Sequence, residues 1–109
     1  MSTKKINTLE SPSGEGKVYR GEALLSHVLY KLQVTQEIKV TRGDELPGIQ
    51  DIRGSIIVVK GEKDLTLGDE LILHLSDGRR WKFFARSGDP VSGTYQCVNT
   101  SADGITKGD

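Results

Sequence analysis

The chain has 109 residues, with 15 Lys and Arg balancing 15 Asp and Glu, and 35% apolar side chains. That length fits one domain with its own core, and a net charge of zero leaves no global field to draw in nucleic acid or an acidic membrane. Cys97 is the only cysteine, which excludes an intrachain disulfide and a cysteine-cluster metal site.

Residues 1–16 are polar, with Ser, Pro and Gly, and read as a flexible tail; residues 100–109 read the same way. The single β domain is expected over 17–99. Lys4 and Lys5 have no apolar stretch behind them of the kind that makes a secretory signal. No run approaches the ~18 apolar residues of a membrane helix. The expectation is a cytoplasmic protein with no membrane contact. Gly16-Lys17 is not a phosphate loop, because Ser11 stands where a glycine is required and Val18 where a hydroxyl is required.

Residues 24–40 fit two periods. Leu24, Leu25, Val28, Leu29 and Leu32 would share a helix face. On a strand the even positions are apolar in seven of nine cases and the odd positions in two of eight. The helical period fails after Leu32, against the β-branched run to Val40, and no stop signal occurs before Gly43. The pattern predicts a long strand, bent by a bulge near Leu24–Leu25 where the phase changes. A helix over 22–32 is the alternative.

Residues 41–54 carry Gly43-Asp44 and Pro47-Gly48 and read as a loop. Ile56, Ile57, Val58 and Val59 are apolar on both faces, which suits a strand covered on both sides. Residues 64–70 read as a turn or a short edge piece.

Two alternating runs follow, with Leu71, Leu73 and Leu75 on one face and Trp81, Phe83 and Ala85 on the other strand. A two-residue turn at Asp77-Gly78 would set Leu73 opposite Lys82 and mix the core face with the solvent face. A three-residue loop, Ser76-Asp77-Gly78, sets Leu73 opposite Trp81 and Leu71 opposite Phe83. It requires a left-handed residue at Gly78. Residues 86–93 read as a loop, and 94–98 as a last strand. The spacing Gly93-x-Tyr95-x-Cys97 resembles an immunoglobulin F strand, but no second cysteine exists to pair with Cys97.

The fold class expected is all-β: a small antiparallel β-barrel or sandwich of about six to eight strands, with little or no helix. Three functions are carried forward. The leading one is a non-catalytic binding or assembly module that acts through a protein partner or a homo-oligomeric interface. Its candidate surface is Ile57, Val59, Ile72 and Phe84, apolar residues that alternate away from the core. The second is a single-stranded nucleic-acid binder using Arg80, Lys82, Phe84 and Arg86, where cations flank an aromatic ring; zero net charge disfavours it. The third is a small-ligand carrier or enzyme using the barrel interior, with His27, His74 or Tyr30 near its mouth. No catalytic motif marks a nucleophile. His27 and His74 have no metal spacing, so no metal or other cofactor is expected.

Overall fold

The computed structural model describes residues 3–100 and 105–107. It is all-β, with eight antiparallel strands and no helix among the described residues. They are β1 (Thr3–Glu10), β2 (Ser13–Arg20), β3 (Ala23–Thr41), β4 (Asp44–Gly61), β5 (Leu71–His74), β6 (Arg79–Asp89), β7 (Thr94–Asn99) and β8 (Ile105–Lys107). Among the described residues, therefore, no helix is long and apolar enough to cross a membrane.

The pairings β3-β2-β5-β6-β7-β4 run in order, and β4 returns to pair with β3, so six strands form a closed ring. β1 adds to the far half of β3, and β8 adds to β6. The inside of the ring is filled. Trp81, Phe83, Tyr95, Leu71, Leu73, Ile52 and Ile56 are all buried, joined by Val18, Val28 and Cys97. Trp81 and Phe83 stack with centroids 5.0 Å apart. These residues alternate along their strands, so each strand gives the ring one apolar face.

The β5–β6 hairpin has the register that the alternation requires. Leu71 pairs with Phe83, Ile72 with Lys82, Leu73 with Trp81 and His74 with Arg80. The loop closes through Gly78 N–H donating to the Leu75 carbonyl, and Gly78 takes φ 93°. Asp77 accepts from the Arg79 backbone and side chain, which fastens the turn and holds the Asp77 carboxyl below its usual range.

β3 is one 19-residue strand, and the helical alternative does not form. Its bulge sits at Leu25: Val18 pairs with Ser26 and Tyr19 with Leu24, leaving Leu25 without an opposite residue. Beyond the bulge the even positions Ser26, Val28, Tyr30, Leu32 and Val34 are buried. Before it the phase is reversed, so Leu25 packs against the core and Leu24 is exposed.

Of the segment read as a loop, 41–54, only Arg42 and Gly43 form a turn; Thr41 ends β3 and 44–54 begin β4. Thr41 pairs with Asp44, and the two residues between them, Arg42 and Gly43, have φ of 53° and 83°. This is a two-residue turn with both central residues left-handed, the geometry that suits strand twist. The polar composition of 44–51 is explained by position, since this half of β4 lies beyond the core. With β3 and β1 it makes a three-stranded arm, and the molecule measures 52 × 30 × 21 Å along its principal axes. β1 and β2 both fall within or across the stretch read as tail. β1 pairs its backbone with β3, while Ile6 and Leu9 stay exposed at 75% and 52%. At the other end, Ile105–Lys107 pairs with β6, and residues 101–104 and 108–109 lie outside the described residues.

Two tyrosine hydroxyls tie loops to the ring. Tyr95 donates to the Lys63 carbonyl at 2.6 Å and accepts from Leu65 N–H at 3.1 Å, which seats Leu65 in the core. Tyr30 accepts from Ser76 N–H at 3.1 Å, at the hairpin loop.

Candidate functional site

The outer face of the ring holds the candidate residues, and strand pairing redistributes them. Arg80 and Lys82 are exposed on β6, and Phe84 is half-buried beside Val98 of β7. Arg86 sits on a bulge, because Ala85 pairs with Cys97 and Ser87 with Gln96. The four therefore lie along one strand, with the last displaced from the alternation of the first three.

The apolar candidates do not make one patch. Ile57 and Val59 are exposed on β4. Ile72 and Phe84 are half-buried across the ring on β5 and β6. Ile57 instead meets Leu29, its direct partner on β3, itself 44% exposed. A shallow apolar cavity of about 480 Å³ opens beside that pair, with Ser13, Tyr30 and Ser55 on its rim.

The histidines, far apart in sequence, come to either side of one lysine. Lys17 pairs with His27 of β3 on one edge of β2 and with His74 of β5 on the other. His74 pairs with Arg80, and His27 pairs with Lys60 of β4. Directly opposite residues share a face, so Lys60, His27, Lys17, His74 and Arg80 form one row across five strands. Four of them, all but Lys60, line a groove of about 520 Å³. Tyr19, two residues from Lys17, stacks on His74 with ring centroids 4.2 Å apart. Burial first, then Arg80 and Lys17, hold His74 below the ordinary imidazole range, so its ring is neutral at pH 7.

Lys17 and Lys60 are the residues that reading along the sequence passes over. Their membership of the row depends on β2 lying between β3 and β5 and on β3 pairing with β4. No signal along the chain encodes those neighbours.

Burial pushes the Cys97 thiol up to about 12, so it is protonated and a poor nucleophile. No group of three or more His, Cys, Asp or Glu side chains among the described residues is placed to hold a metal ion.

The arm is the other candidate surface. None of residues 6–10 or 35–46 is buried. Gln36, Ile38 and Val40 continue the inward face of β3 beyond Val34, where the opposite wall of the ring has ended. Gln36 fills the irregularity there, donating to the Gly48 carbonyl at 2.6 Å. Among the described residues, no strand pairs with the outer edge of β1, and the pairing of β7 with β4 begins only at Arg53.

No protein-family model matches the chain, and comparison with curated proteins and with solved structures found no match.

Proposed function

We propose that the protein is a non-catalytic assembly module in which a small closed β-barrel carries the arm, and that the arm binds a second copy of the chain. One observation carries this reading. The core-facing side of β3 runs on past the ring as Gln36, Ile38 and Val40, which are no more than half-buried there. An isolated sheet of two or three strands needs a covered face to be stable in water. Its open edges also invite pairing with another chain unless they are managed. A second copy supplies both a cover and an edge.

The test is mass by light scattering on the intact chain and on a variant with a shortened arm. Gln36 and Gln50 are direct partners, so an Asn-Gly turn can join them and remove 37–49 while leaving the ring. The intact chain is expected as a dimer or larger species, and the shortened chain as a folded monomer. An intact chain that stays monomeric at its highest soluble concentration overturns the reading.

A further inference from the structure

We infer that the row Lys60, His27, Lys17, His74 and Arg80 is a track for single-stranded nucleic acid, with phosphates on the three permanent cations and a base at the Tyr19–His74 pair. Four successive pairings set Lys60, Lys17 and Arg80 on one face at alternate strands, with His27 and His74 between them. Three of the five arginines off the row have acids, since Arg20 meets Asp69, Arg53 meets Asp51, and Arg79 meets both Asp77 and Glu10. Among the described residues, no ion pair reaches Lys60, Lys17 or Arg80. Glu15 is the one carboxylate lining the groove. Cations gathered on one face with no salt-bridge partner among the described residues are suited to an anion supplied from outside.

The shape of the row selects the kind of anion. Neighbouring strands are about 4.8 Å apart, so four intervals span roughly 19 Å along the surface. A single phosphate would use one or two members, whereas an extended polyanion uses them all. The stacked Tyr19 and His74 rings stand beside the cations, and the pairing of a cationic groove with aromatic faces is what unpaired bases and their backbone require. His74, held below its ordinary range first by burial and then by Arg80 and Lys17, stands between those two cations.

The experiment is fluorescence anisotropy with a labelled single-stranded DNA of about twelve nucleotides, within the ~4–16 that small binding domains occupy. Three phosphate contacts give a salt slope of about −2, or roughly a 20-fold weakening between 50 and 200 mM salt. Lys17→Ala with Arg80→Ala should cut the slope to about −0.7, one contact remaining. Arg86→Ala, off the row, should leave binding and slope unchanged. All these side chains are exposed, and thermal melts confirm that the variants fold. No binding at 50 mM salt overturns the proposal. So does a loss from Arg86→Ala equal to that from the double variant, or equal affinity for the duplex. Retention on phosphatidylserine vesicles without oligonucleotide binding would assign the row to a lipid surface and overturn it as well.

Discussion

Replacing Tyr95 by phenylalanine removes one oxygen from the centre of the molecule and two hydrogen bonds with it. The ring is 1% exposed, and the Leu65 side chain that its hydroxyl helps to hold is fully buried. Without the hydroxyl, Leu65 N–H loses its acceptor in a buried setting, which costs about 1–3 kcal/mol. The Lys63 carbonyl belongs to an exposed residue and can turn to water, so its lost bond adds ~0.5–1 kcal/mol. The expected loss is about 2–3 kcal/mol. Unfolding entropy of ~2.1 cal/mol/K per residue gives about 0.23 kcal/mol/K for 109 residues. The melting temperature should therefore fall by ~9–13 °C, read by circular dichroism. Tyr30→Phe is the internal control, because its partner Ser76 is exposed and water can replace the hydroxyl. That variant should lose less than ~1 kcal/mol, or about 4 °C. Equal losses, or the reverse order, would refute the claim that Tyr95 anchors Leu65 in the core.

Gly78→Ala tests the hairpin loop. A methyl group there meets nothing within 4 Å, so only the φ of 93° opposes it, at about 1 kcal/mol or ~4 °C of melting temperature. An unchanged melt would count against the left-handed turn. His74 should titrate by NMR with a midpoint below the ordinary imidazole value of 6.5, owing to burial and then to Arg80 and Lys17. Its folded form binds fewer protons than its unfolded form, so its contribution to stability is complete above about pH 6.5 and is lost as pH falls through the folded midpoint. A midpoint above 6.5 would remove the row's field as its cause.

Alternation made the ring readable wherever one face of a strand is buried. The β5–β6 register follows from keeping Leu71 and Leu73 with Phe83 and Trp81, because the alternative pairs leucine with lysine. The bulge at Leu25 follows from the phase change between Leu24 and Leu25. The arm was hidden for the converse reason. Residues 44–46 face water on both sides, so their composition is that of a loop, and only pairing with β3 makes them a strand. The candidate nucleic-acid stripe along β6 was assembled from residues adjacent in sequence. The proposed row draws one residue from each of five strands, and its members span Lys17 to Arg80. Neighbours of that kind are fixed by strand order, which side-chain patterns do not carry.

β1 and β2 lie end to end along the same edge of β3, and the joint between them is closed by Leu32 N–H donating to the Pro12 carbonyl at 2.8 Å. The two strands do unequal work there. β2 contributes Val18 to the interior, whereas the described side chains of β1 contribute nothing buried. Peeling from Thr3 inward therefore releases backbone bonds, the Gln33–Thr8 side-chain bond and the Glu10–Arg79 ion pair, but uncovers no buried side chain among those described until it reaches Pro12, where the next step would begin to uncover the core. The joint acts as a stop on an unzipping edge. It makes β1 the strand that the fold can lend out, so that neighbouring copies could trade it and reseal the same edge of β3 without either ring opening.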